Sequence, residues 1–133
     1  MQSDDRAMSS MHLWVGRIMS GLPGLFFLVD GVMKLFKPPV VVQATIELGY
    51  PESVIVGLGV TLLASTVLYL IPHTSILGAI LLTGYLGGAV ATHVRVGGPA
   101  FNVVFAVTVG ALVWGGLWLR DGQLRKMLPF RTL

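Results

Sequence analysis

Residues 53–94 read SVIVGLGVTLLASTVLYLIPHTSILGAILLTGYLGGAVATHV, 42 positions without an Asp, Glu, Lys or Arg. One helical crossing of a hydrocarbon slab about 30 Å thick uses about 20 apolar residues, so this stretch is long enough for two. It is interrupted at Pro72-His73-Thr74-Ser75. Proline stops one helix, and a hydroxyl side chain can cap the next. The predicted spans cover about 53–71 and about 75–95, each close to the crossing length.

Working toward the C-terminus, Gly97-Gly98-Pro99 is a turn signal. A second charge-free run, Val96 to Leu119, supplies another span over about 100–119, and Arg120-Asp121-Gly122 ends it in a short polar tail, 120–133. Working toward the N-terminus, a span over about 12–36 contains Arg17 and Asp30. The 13 helical steps between them cover roughly 20 Å, less than the slab. Arg17 can snorkel to the headgroups beside Trp14; Asp30 is too short to do so and falls inside the membrane boundary, with Lys34 one turn on. Between the first and second spans, Pro38 to Pro51 is too apolar for a free loop and too short to cross. Its centre, Val40 to Leu48, suits a short interfacial helix closed by Gly49 and lying over the mouth of the bundle, with a short irregular hairpin loop as the alternative. The predicted fold is an all-α integral membrane four-helix bundle in one domain, 1–133, with that interfacial helix after the first span.

Composition agrees. Of 133 residues, 54% are hydrophobic and 11% charged, with a mean hydropathy of +0.81. Soluble domains carry about 25% charged residues. Nine basic and six acidic side chains cannot cover 14.2 kDa with a water-facing surface, which disfavours a soluble enzyme, a disordered chain and a nucleic-acid module together. There is no cysteine, which removes thiolate and iron–sulfur chemistry. The first apolar run carries acids before it and no small-residue cleavage site after it, so it is expected to be retained as a membrane helix.

Four spans put both termini on one side. That side holds Arg6, Arg17, Arg120, Arg125, Lys126 and Arg131, against Lys34, Lys37 and Arg95 opposite. The bias predicts cytoplasmic termini, and Trp14, Trp114 and Trp118 form an aromatic belt at the terminal end. Small residues repeat at helical spacing in Gly16/Ser20/Gly24, Gly57/Thr61/Ser65 and Gly84/Gly88/Thr92. All three stripes are expected to be helix contacts, because close backbone approach drives association in lipid.

Asp30 and Lys34, at i and i+4 with the acid first, form a favourable pair, and unpaired charges at membrane depth are costly. Topology brings the ends of the first and third spans to one leaflet. The expected ligand-binding group is therefore Asp30, Lys34, Tyr85, His93 and Arg95, roofed by Gln43 and Glu47, with Asn102 nearby. A structural ion pair with headgroup-level His93 and Arg95 is the competing reading. His12 and His73 lie at the opposite end from His93, so no metal site is expected, and nothing suggests a nucleotide fingerprint or a Ser/His/Asp arrangement.

Several blocks, taken together, resemble the DoxX-like family of small bacterial membrane proteins. They are Phe27-Leu28-Val29-Asp30-Gly31-Val32-Met33-Lys34-Leu35-Phe36, Glu47-Leu48-Gly49-Tyr50-Pro51, Leu68-Tyr69-Leu70-Ile71-Pro72, Gly84-Tyr85-Leu86-Gly87-Gly88-Ala89-Val90-Ala91-Thr92-His93-Val94-Arg95 and Trp118-Leu119-Arg120-Asp121. The resemblance implies a four-helix membrane bundle in the bacterial inner membrane. It also implies links to a thiosulfate:quinone oxidoreductase subunit, to redox-associated membrane complexes and, in a distant branch, to receptor assembly. Members often carry a Glu and a Cys where this chain has Leu62 and Ser65, which weakens the case for redox catalysis here.

Three functions are carried forward. The first is a non-catalytic membrane subunit or a bundle that binds a lipophilic small ligand such as a quinone or a lipid. The second is a quinone-linked oxidoreductase subunit, and the third a small proton-coupled exporter with Asp30 as the proton site. The expected partners are the lipid bilayer, with a membrane or redox protein or a second copy of the chain left open, and no nucleic acid.

Overall fold

The computed structural model describes residues 2–131. Six α-helices follow one another: α1 Gln2–Phe36, α2 Pro39–Glu47, α3 Ile55–Leu70, α4 Ser75–Val96, α5 Ala100–Arg120 and α6 Gly122–Met127. Short 3-10 turns at Glu52–Val54 and Pro72–Thr74 lead into α3 and α4. No strand occurs among the described residues. Four helical stretches are long and apolar enough to cross a membrane: Ser10–Phe36, Glu52–Leu70, Pro72–Val96 and Ala100–Arg120. The protein is an all-α, multi-pass membrane bundle. α1 packs against α3 and α5, and α4 closes the ring by packing against the same two helices. α1 runs further toward the N-terminus than the span expected from residue 12, and the polar tail contains α6. Met1, Thr132 and Leu133 of the expected domain, and the side chains of Asp4, Asp5 and Arg6, lie outside what is described.

Connections follow local chemistry. The φ of Lys37 is 53° and that of Gly49 is 90°, so the chain reverses at both ends of α2. Gly97, at φ 69°, is a left-handed residue ending α4. At the α3–α4 turn the hydroxyls do something other than cap α4. Thr74 Oγ1 donates to the Leu68 carbonyl at 2.7 Å and Ser75 Oγ to the Ile71 carbonyl at 2.9 Å. They satisfy carbonyls left over at the end of α3, a need as strong as that of the first N–H groups of α4.

The bundle is tightly packed toward the chain termini. Added side-chain carbon at Gly16 or Gly116 would meet the backbone of the facing helix within 2.8 Å, and at Gly78 it would collide with the Tyr69 backbone. Tyr69 is 1% exposed. Its hydroxyl donates to the Val113 carbonyl at 2.8 Å and shares a 2.6 Å hydrogen bond with Ser20 Oγ. Arg120 donates to the same Ser20 oxygen at 2.9 Å and to the Gly116 carbonyl at 3.2 Å. One polar knot thus ties α1, α3 and α5, while Leu62, Leu82 and Val113 fill the interior around it. The stripe Gly16/Ser20/Gly24 is a contact surface, as its spacing suggests, with Gly24 against Leu70.

Candidate functional site

The opposite half of the bundle is hollow. A cavity of about 500 Å³ lies among α1, α4 and α5, with Leu58 of α3 contributing and α2 lying across it. α1 presents Asp30 and Lys34 because residues four apart share a helix face. Lys34 Nζ sits 2.6 Å from Asp30 Oδ2, with side chains 15% and 34% exposed respectively. The pair is therefore half-buried and accessible from the cavity, where each charge offsets part of the cost of desolvating the other. α4 presents Tyr85, Thr92 and His93, and His93 Nδ1 lies 3.5 Å from the Asn102 amide of α5. The remaining wall is apolar, with Phe27, Ala106 and Val109 among its residues. Where α1 and α5 face each other beside the cavity, Phe26 and Phe105 meet edge to face at 5.4 Å, and both are substantially exposed.

The third glycine stripe is where packing and spacing part company. Its spacing predicts that Gly84 and Gly88 press against a neighbouring helix. Both line the cavity instead, and a carbon added at either meets nothing within 4 Å. Gly57 of the second stripe is likewise open. The spacing marks a face, and here that face borders empty space.

Of the expected ligand group, Asp30, Lys34, Tyr85 and His93 border one cavity, and so does Asn102. Arg95 and Glu47 do not border it. Arg95 Nη2 donates to the Leu48 carbonyl at 3.0 Å, pinning the C-terminal end of α2. Glu47 accepts from Gln43 at 3.3 Å on the outer surface of α2. The inner face of α2 supplies Val41, Ala44 and Thr45 instead. Tyr50 is an addition to the expected group. Its hydroxyl meets Thr92 Oγ1 at 2.8 Å, linking the segment after α2 to α4 at the rim. The two residues are 42 positions apart, and only the Glu47–Pro51 block hints that this segment matters. Lys37 and Glu52, 3.6 Å apart, add an exposed link between the two ends of the roof.

Leu62 and Ser65 are buried away from the cavity, and Ser65 donates to the Thr61 carbonyl at 2.7 Å. Neither offers a reactive group to it. Among the described residues no three His, Asp or Glu side chains come together as a metal site.

A hollow, amphipathic half on a sealed membrane bundle defines a class, a small multi-pass membrane protein with an intramembrane pocket. The sequence profile of the DoxX-like family matches residues 18–116, which include all four spans in whole or large part. The chain belongs to the DoxX-like family. Neither the curated proteins nor the solved structures contain a significant match.

Proposed function

We propose that the protein is a non-catalytic membrane subunit whose cavity binds a lipophilic molecule with a compact polar head, of the quinone or quinone-like class. The observation that carries this is the composition of the 500 Å³ cavity: apolar walls with a half-buried Asp30–Lys34 pair presented by α1 and Tyr85 and His93 presented by α4. Pockets of about 300–1,000 Å³ with a few convergent polar groups are the usual form of small-molecule sites. Lys34, Tyr85 and Asn102 offer donors to carbonyl oxygens, and Asp30 offers an acceptor to a hydroxyl. A ligand of this kind partitions into the bilayer first, and the exposed Phe26–Phe105 pair marks a lateral route to the cavity. Arg95, Tyr50 and the Lys37–Glu52 pair hold the roof.

The test is purification in mild detergent from the native membrane, followed by mass spectrometry of the bound organic extract and titration with a short-chain ubiquinone analogue. A saturable one-to-one complex that is weakened at least about tenfold in Asp30→Asn/Lys34→Met supports the reading. An analogue that binds neither protein, or both equally, contradicts it.

Family membership favours a second reading, a quinone-linked oxidoreductase subunit. That role requires an electron carrier in the assembly, so the complex isolated from the native membrane would show a redox chromophore. Placement in a bacterial inner membrane with both termini cytoplasmic belongs to the same proposal, supported by the six-to-three basic bias. Because the chain has no cysteine, single Cys residues at positions 3 and 98 report the topology cleanly. Labelling of both from the same side would contradict it.

A further inference from the structure

The terminal end of the bundle carries a second cleft, of about 580 Å³, between the Pro72–Thr74 turn and the corner joining α5 to α6. It is unlike the cavity at the other end. Arg120, Lys126 and His73 border it, with Asp121 and Gln123 beside them and Ile76 and Leu117 forming an apolar side. Its level is fixed by the spans, since α4 begins at Ser75 and α5 ends at Arg120. It therefore sits where hydrocarbon gives way to headgroups. Arg17 over Trp14 at 5.2 Å and Arg125 over Trp118 at 5.9 Å mark the same level, as interfacial aromatic and basic residues do.

We infer that this cleft binds the headgroup of a glycerophospholipid of the terminal leaflet, one whose phosphate carries a substituent with a hydrogen-bond donor. A guanidinium has five N–H donors in a fixed fork suited to phosphate oxygens. Arg120 commits two of its contacts to Gly116 and Ser20, and that commitment holds the group rigid at the cleft. The Lys126 ammonium and the His73 imidazole widen the donor set. Asp121 places a carboxylate on the wall, and its Oδ1 accepts from the backbone N–H groups of Gln123 and Leu124. A carboxylate beside a phosphate site discriminates among the alcohols esterified to that phosphate. It accepts from a glycerol hydroxyl or an ethanolamine ammonium and finds no donor on choline. The exposed Ile76 lies where the first carbons of an acyl chain leave the headgroup. The site shares no residue with the cavity at the opposite end and stands whether or not that cavity holds a ligand.

The experiment uses the full-length protein, delipidated in mild detergent. Phosphatidylglycerol, phosphatidylethanolamine or phosphatidylcholine with identical acyl chains is added, and native mass spectrometry counts the lipid retained. The expected result is one phosphatidylglycerol or phosphatidylethanolamine per chain, favoured over phosphatidylcholine by about tenfold. His73→Ala/Lys126→Ala should lower that retention about fivefold or more, and restoring position 126 as Lys126→Arg should recover most of it. Both residues are exposed, so the fold is expected to survive, and the thermal transition of each variant verifies this. Arg17→Ala removes one cation from the same leaflet without touching the cleft and should leave retention within about twofold. Equal retention of phosphatidylcholine overturns the inference. So does an equal loss in Arg17→Ala, which would mean that net charge alone attracts lipid. Displacement of the lipid by millimolar inorganic phosphate would show a free-anion site and would overturn the lipid assignment.

Discussion

The terminal end of this bundle and the cavity-facing side of α4 use glycine in opposite ways. At the terminal end Gly16 and Gly116 let α1 and α5 touch through their backbones, and Gly78 does the same for α4 against the end of α3. At the other end Gly84 and Gly88 of α4 face a void, while Gly31 and Gly59 keep α1 and α3 in close contact beside it. The polar groups differ in parallel. Tyr69 and Ser20 are closed on one another and on the Val113 carbonyl, and two contacts of Arg120 tie it into the same knot. Asp30 and Lys34 satisfy one another while remaining partly accessible. A glycine in a membrane helix thus has two uses, to bring backbones together or to leave room, and the group facing it decides which. The sealed terminal end and the Gly31–Gly59 contact of α1 with α3 together hold the helices around the open space.

The largest expected effect is at Gly78. A methyl group there collides with the Tyr69 backbone, which cannot retreat as a side-chain tip can. Gly78→Ala is expected to cost about 3 kcal/mol or more, at or beyond the upper end of overpacking penalties. A fall of the detergent thermal transition on the order of 10 °C would register it. Gly84→Ala should by contrast hold or raise the transition, because alanine favours the helix by about 1 kcal/mol and the space is open. Equal losses at the two glycines would erase the distinction between the halves.

The knot comes next in size. Tyr69→Phe deletes a hydroxyl that serves both Val113 and Ser20, leaving the Val113 carbonyl without that donor. The expected loss is about 1–3 kcal/mol, read by chemical denaturation in detergent, with the size of the cavity at the opposite end unchanged. A smaller effect is expected at the ion pair. Asp30→Asn and Lys34→Met should each destabilise more than their combination, with a coupling energy of about 1 kcal/mol. Strict additivity in the double-mutant cycle would mean that the two charges do not act as a pair. The smallest change in stability belongs to the roof. Tyr50→Phe removes one hydrogen bond at the rim and should cost under about 1 kcal/mol, while accelerating ligand release by several-fold in stopped-flow displacement. Unchanged release would remove the roof from the account.

Much of this is legible in the sequence because lipid makes charge informative. The gaps between charged residues mark the spans, and proline at positions 38, 51 and 72 marks the breaks. Asp30 and Lys34 declare their pairing through a four-residue spacing that any helix converts into contact. What the sequence hides are the meetings between distant segments. Nothing local announces that Tyr69 reaches Ser20 across 49 positions, or that Tyr50 reaches Thr92 across 42. Arg95 illustrates a different limit. Its position at the end of α4 makes it available to the cavity, yet a carbonyl at the end of α2 competes for its guanidinium and holds it outside. Glu47 lies on the outer surface of α2 for a related reason, since a nine-residue helix can turn only one face inward, and here the inward face carries Val41, Ala44 and Thr45. The Gly84/Gly88 stripe reads as packing because spacing identifies a face and is silent about the surface opposite.

If the cavity holds a lipophilic molecule, filling it with a side chain should displace that molecule. Gly88→Leu places a side chain in the cavity, whereas Gly57→Leu adds the same side chain at an equally open glycine outside the cavity lining. Both variants should fold, with thermal transitions within about 1 kcal/mol of the parent in stability. The measurement is the affinity for a short-chain ubiquinone analogue by titration of the purified proteins. The expected result is a loss of at least about tenfold for Gly88→Leu and parent-like affinity for Gly57→Leu. Parent-like affinity in Gly88→Leu, or equal losses in both, would contradict it.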